Sequence, residues 1–193
     1  MKTLLSLSEG YYEEKGSKFI GHAYPVGSKE EITAILEGLK RKHPKAVHVS
    51  YAYCLDKETL EIRINDDGEP NNSAGPPILK QIQHYELSNV LVAVVRYYGG
   101  VNLGVGGLMK AYKAAAKDAL KASQIIEKEA FIELKVEIEN AQFSSFMHYV
   151  HQRNIPILEQ GYTTKHFVKI QLSLHAKAEF LQKFQPFDGI TTL

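Results

Sequence analysis

Cysteine is nearly absent. The 193 residues contain one, Cys54, so no intrachain disulfide can form and the composition fits a reducing compartment. At the end of an expected strand, Cys54 reads as a small buried side chain rather than a nucleophile. Excess charge is absent as well. Lys plus Arg number 23 and Asp plus Glu 22, a net charge of +1. That balance argues against a strongly basic nucleic-acid domain, although it permits a local basic face. Long apolar runs are missing too. The longest, residues 90–95, falls far short of the ~20 residues a membrane helix needs. Residues 1–10 carry Lys2 and a short apolar patch at Leu4, Leu5 and Leu7, but Glu9, Glu13 and Glu14 follow too soon for a signal peptide. The expectation is a cytoplasmic protein with no membrane partner. Catalytic signatures of the G-x-S-x-G, HExxH and CxxC kinds do not occur. His148 and His151 lie three apart with no third ligand spaced for zinc. No residue is marked as catalytic, and neither a metal nor a cofactor is expected.

What the chain does contain is patterned. Hydrophobic residues make up 44% and charged residues 23%, the balance of a folded domain. In the carboxyl-terminal part, Ile132, Leu134, Val136 and Ile138 alternate with Glu133, Lys135, Glu137 and Glu139, which predicts a strand with one wet face. Phe143, Phe146, Met147 and Val150 recur at helical spacing over 141–152, with Asn140 as a cap. Ile155 and Ile157 open another strand, Gln160-Gly161 marks a turn or bulge, and Val168, Ile170, Leu172 and Leu174 alternate again. Ala176, Phe180, Leu181 and Phe184 give a second helical stripe that Gly189 ends, and 190–193 predicts a last edge strand. The order β-α-β-β-α-β is the split βαβ, or ferredoxin-like, pattern.

The amino-terminal part predicts a strand over 19–24 and then a helix. Ser28 and Glu31 form a capping box ahead of Ile32, Ile35, Leu36 and Leu39. Lys40, Arg41 and Lys42 complement that helix's carboxyl end, and Pro44 stops it. Residues 47–53 and 60–65 read as a hairpin. A short helix runs from Pro77 to Gln83, and residues 89–98 form a strand buried on both faces. An Ala-rich helix over 108–122 has an inner stripe of Leu108, Ala111, Tyr112, Ala115 and Ala119. The expected fold class is α+β in two domains, with a boundary at 123–129.

Two stretches could carry chemistry. In the first, Arg96-Tyr97-Tyr98-Gly99-Gly100 is followed by Gly104, Gly106 and Gly107, so that a strand ends, a glycine loop turns and a helix starts. Amides at a positive helix end suit an anion such as phosphate, and Lys110 adds charge. The spacing is neither a Walker loop nor GxGxxG. Glycines also serve simply to let helix and strand approach, so both readings stand. Tyr97 and Tyr98 point to opposite faces, so at most one can stack on a base. The second stretch, Asp66-Asp67-Gly68-Glu69-Pro70, sets three carboxylates in four residues. It suits a divalent metal or acid–base work, and equally a plain turn.

Four segments together resemble the YigZ/IMPACT family: KGSKFI at 15–20, His43-Pro44 with His48, DDGEPNNSAGPP at 66–77, and VAVVRYYGGVNLGVGGLMKAY at 92–112. The resemblance implies an α/β domain over 1–125, like those in a small-subunit ribosomal protein, in elongation factor G domain four and in the GHMP kinases. Over 130–193 it implies a ferredoxin-like domain similar to elongation factor G domain five. Eukaryotic members carry an additional RWD domain and are linked to translational control. A non-enzymatic protein contacting RNA, the ribosome or a translation factor is therefore expected, through Lys15, Lys18, Arg96, Tyr97, Gly99, Gly100, Gly104, Gly106, Gly107 and Lys110. The alternative is a nucleotide- or phosphate-dependent enzyme that adds a divalent metal on Asp66, Asp67 and Glu69. Departures from the family pattern fall at Val105, where a Thr is usual, at Asn72-Ser73 in place of Gly-Thr, and at Val49-Ser50 after His48. They spare a site built from backbone amides and basic side chains.

Overall fold

The structure is a computed structural model that describes residues 1–56, 60–129, 131–184 and 190–192. It divides into two compact units, Met1–Lys128 and Glu129–Leu193. The first contains β1 (Lys2–Leu4), β2 (Ser8–Glu14), β3 (Ser17–Pro25), α1 (Lys29–Lys42), β4 (His48–Asp56), β5 (Leu60–Asn65), α2 (Gly75–His84), β6 (Val90–Tyr97), α3 (Gly104–Lys121) and β7 (Ile125–Glu127). The second contains β8 (Phe131–Ile138), α4 (Asn140–Gln152), β9 (Ile157–Tyr162), β10 (His166–Ser173), α5 (Leu174–Phe184) and β11 (Ile190–Thr192).

Five antiparallel strands in the order β2-β3-β6-β4-β5 form the main sheet of the first unit. The center strand β6 is apolar along its length because helices cover both of its faces. Ala93 and Val95 pack toward α1 with Leu39. Val90, Val92 and Val94 pack toward α2 and α3 with Ile78, Ile82, Ala111 and Tyr112. Every side chain from Val90 to Val95 is fully buried, each contributing about 1.5–3 kcal/mol where the side chain is Val or Leu. At the start of α1, the Ser28 hydroxyl accepts from the Glu31 amide, and the Glu31 carboxylate accepts from Gly27 N–H at 2.7 Å. The capping box thus reaches one residue further back than expected.

Helix α3 starts at Gly104, four residues before the apolar periodicity that predicts it, and its expected inner stripe is buried throughout. It lies directly on β2 and β3 because Gly10 and Gly21 face its backbone at Ala119 and Ala115, where no Cβ fits. Strands β1, β2 and β7 have no counterpart in the sequence reading. β1 and β7 are three-residue strands paired with each other, β1 adding a single bridge from Lys2 to Leu87, and the Glu residues of β2 hide its alternation.

In the second unit the sheet order is β11-β8-β10-β9, all antiparallel, with the expected β-α-β-β-α-β sequence of elements. Phe146, Val150, Phe180 and Phe184 close its core against Leu134, Val136, Val168 and Ile170. Gly161, expected at a turn or bulge, sits in regular pairing inside β9 opposite Phe167; the register shifts nearby, between Lys169 and Ile170, and the chain turns through 163–165. β10 stops at Ser173, and Leu174 already belongs to α5. The expected helix stop at Gly189 and the final strand residue Leu193 lie outside the described residues.

Candidate functional site

The acidic turn holds its own loop together. Asp66 accepts from the amides of Asn72, Ala74 and Gly75 at 2.8–2.9 Å, so its carboxylate caps α2, whose own N-cap residue Ala74 offers no side-chain bond. Asp67 accepts from Val49 N–H at 2.7 Å and pairs with Lys40 at 3.0 Å. Its carbonyl accepts from His48 Nδ1 at 2.6 Å, which sets the tautomer with the proton on that nitrogen. The Ser50 hydroxyl donates to the Asp66 carbonyl. Glu69 turns inward: its Oε1 accepts from Arg96 Nη1 at 2.6 Å and from the Tyr112 hydroxyl at 2.7 Å. The three carboxylates expected as one acidic site therefore have different main partners, while His48, bonded to the Asp67 carbonyl, also lies 4.0 Å from Glu69 Oε2 through its Nε2. Among the described residues, no three His, Cys, Asp or Glu side chains are grouped to hold a metal.

Arg96 belongs to this interior. Its side chain is 8% exposed, its guanidinium lies 5.5 Å from the Phe19 ring centroid, and Glu69 neutralizes it. Removing one partner of such a buried pair leaves the other uncompensated, at about 3–5 kcal/mol. Burial, reinforced by Glu69, also pushes the Tyr112 phenol far above its ordinary range, so it serves as a fixed donor. Arg96, expected among the anion ligands, is a buried ion-pair partner of Glu69 here, whereas Lys110 pairs with Glu14.

The glycine loop divides its residues differently. Tyr97, expected at the binding surface, turns toward α1, where its hydroxyl meets His43 Nδ1 at 2.8 Å. The open ring is Tyr98, 48% exposed, with the Arg96 guanidinium 5.6 Å from its centroid and its hydroxyl donating to Asn102 Oδ1. Of the two tyrosines, which the sequence places on opposite faces, Tyr98 is the one left open and Tyr97 the one held against α1. Gly99 comes backbone to backbone against Gly16, leaving no room for a Cβ, and its amide donates to Ser17 Oγ. That contact joins the KGSKF segment to the glycine loop at Gly99, with Lys15 the residue next to Gly16.

Beyond the loop, Gly104, Val105 and Gly106 open α3 on the surface, and Leu103 provides no side-chain cap. The first amides of α3 thus face outward at the positive end of the helix dipole. Gly107 is half-buried against Leu103. Lys110 reaches Glu14 at 3.3 Å and lies 6.0 Å from the Tyr12 ring; the bonds to Tyr12 and Glu14 raise its pKa. Lys15 and Lys18 are exposed at the β2–β3 end of the same region. Next to this helix start, a groove of about 400 Å³ between α2 and α3 is lined by Pro76, Pro77 and Met109 together with Lys80, Lys110 and Lys113. Lys80 was not among the expected site residues; its side of α2 becomes meaningful only where α3 packs beside it.

The fold and this surface define a two-unit α+β protein with an internally satisfied acidic loop and an open, lysine-flanked helix start. The Impact N-terminal domain family matches residues 15–120, and the chain belongs to the IMPACT family. The IMPACT family member YigZ of Escherichia coli K12 is 30% identical over 177 residues, covering 91% of this chain and 87% of that protein. A crystal structure of a hypothetical protein superposes with a TM-score of 0.72 at 27% identity, covering 100% of this chain and 95% of that one. Yih1, a two-domain translational regulator, is 26% identical with a TM-score of 0.41, covering 62% of this chain and 48% of its own. The resemblance carried by the acidic turn and the glycine loop is therefore a family relationship. Among the described residues, no helix is long and apolar enough to cross a membrane.

Proposed function

We propose that this chain is a non-enzymatic, cytoplasmic binding protein of the translation machinery that contacts structured RNA through the face around the start of α3. One observation carries the reading: uncapped amides at Gly104, Val105 and Gly106 lie exposed beside Lys110, close to the loops that hold Lys15 and the open Tyr98 ring. Helix-end amides and lysines suit phosphate, and an exposed ring resting on a buried guanidinium suits an unpaired base. The translational link of the family's eukaryotic members favors ribosomal RNA as the RNA met. The metal-dependent enzyme alternative gains less support, because Asp66, Asp67 and Glu69 already serve backbone amides, Lys40, Arg96 and Tyr112.

Titration of the protein into structured ribosomal RNA fragments at several salt concentrations tests this. Affinity is expected to fall log-linearly with salt. Lys110→Glu is expected to weaken binding alike for all sequences and to reduce the slope by about one. Tyr98→Ala is expected to cost about 1–3 kcal/mol on single-stranded segments and little on duplex. The absence of binding at low salt overturns the reading. So does a partner that survives nuclease treatment while RNA does not bind, which points to a protein adaptor instead.

A further inference from the structure

Strand β5 is the last strand of the five-stranded sheet, and among the described residues no strand lies beyond it. It presents Leu60, Ile62 and Ile64 at 58%, 43% and 38% exposure. Ile62 and Ile64 pair with Cys54 and Ala52 of β4, so this apolar stripe continues the face packed by α2 and α3. Glu61 and Arg63 occupy the opposite face, where Glu61 pairs with Lys29 of α1 at 3.0 Å.

We infer that β5 is a self-association edge and that its occupant is β5 of a second copy of this chain. The sequence from Leu60 to Ile64 is complementary to itself when reversed. In an antiparallel pairing centered on Ile62, Leu60 faces Ile64 of the other copy, Ile62 faces its equivalent, and Glu61 faces Arg63 twice over. A two-fold axis perpendicular to the sheet keeps like faces together, so the two apolar stripes merge and the two charge pairs form on the opposite face. The other sheet edge lacks this property. β2 carries Glu9, Glu13 and Glu14, charges that repel in self-pairing and blunt an edge, whereas β5 has no Pro or Lys and its charges complement each other. The product is a continuous ten-stranded sheet, which takes both unpaired ladders out of water.

Sedimentation or light scattering on the whole chain, from micromolar to millimolar, tests the inference. The native protein is expected to reach twice the chain mass. Ile62→Lys sets two ammonium groups against each other at the center and is expected to weaken self-association at least tenfold, with an unchanged circular dichroism spectrum. Glu61→Arg opposes two guanidinium groups and is expected to do the same. Adding Arg63→Glu to it restores the pairing and is expected to recover the dimer, an outcome that a merely misfolded variant cannot give. A native protein that stays monomeric overturns the inference, including one whose edge takes a strand from a different protein. A dimer indifferent to Ile62→Lys, or a folded double swap that stays monomeric, overturns it equally.

Discussion

His22 lies on β3 between Glu9 and Ala93 and is 1% exposed, yet neither ring nitrogen has a hydrogen-bond partner. Glu9 Oε1 is 3.2 Å from Nδ1 but poorly aligned. Its ring neighbors are His43 at 5.7 Å and, two residues along the same strand, Tyr24 at 6.3 Å. Burial pushes the His22 pKa below the usual imidazole value, with His43 and Lys42 reinforcing the shift and Glu9 opposing it. The unfolded chain therefore binds a proton near pH 6.5 that the folded chain refuses. Below that pH the unfolded state carries more protons, and stability falls as pH falls. The urea midpoint is expected to decline between about pH 7 and pH 5, and His22→Leu is expected to flatten that decline. His43, whose pKa burial also lowers, contributes to the slope in the same sense. An unchanged slope in the variant would remove His22 from the explanation. The sequence marked His43 and His48 through their motif but not His22, whose meaning depends on which sheet face α1 covers.

At the scale of elements, the contact between α3 and the β2–β3 pair governs the first unit. Ala115 and Ala119 on the helix and Gly10 and Gly21 on the strands allow backbone approach, and a Cβ at Gly21 falls inside contact distance of the Ala115 carbonyl oxygen. The helix cannot retreat without opening the core around Phe19 and Tyr112, whose rings lie 5.2 Å apart. Gly21→Ala is expected to lower the unfolding free energy by about 3 kcal/mol. Gly106→Ala, where nothing stands within 4 Å, is expected to raise it by about 0.5 kcal/mol through reduced backbone entropy. Chemical denaturation of both variants distinguishes packing glycines from surface ones. Sequence periodicity separated these elements well where one face is apolar and the other charged, as in α1, β8 and β10. It failed at β2, whose buried position is held by a glycine, and at the first turn of α3, which is glycine-rich.

Across the whole molecule, two units carry two separate cores. Phe146 is fully buried in the second, with edge contacts to Phe180 and Phe184 at 6.2 and 5.2 Å. A unit this small has a narrow margin, and Phe146→Ala is expected to remove about 3–5 kcal/mol from it. Hydrogen exchange is expected to show lost protection along β8 and β10 while β6 of the first unit stays protected. Loss of protection in both would mean that the units unfold together. Alternation and helical spacing, which need only nearest neighbors along the chain, determined by themselves the α+β class, the β-α-β-β-α-β order of the second unit and most helices. The loop strings likewise carried the family relationship without coordinates. Only the tertiary structure decided that Arg96 turns inward to Glu69, that Tyr98 rather than Tyr97 is open, and that the acidic turn binds its own loop. Those outcomes depend on which charges meet when distant strands and helices pack, and an ion removed from water takes the partner the fold brings within reach.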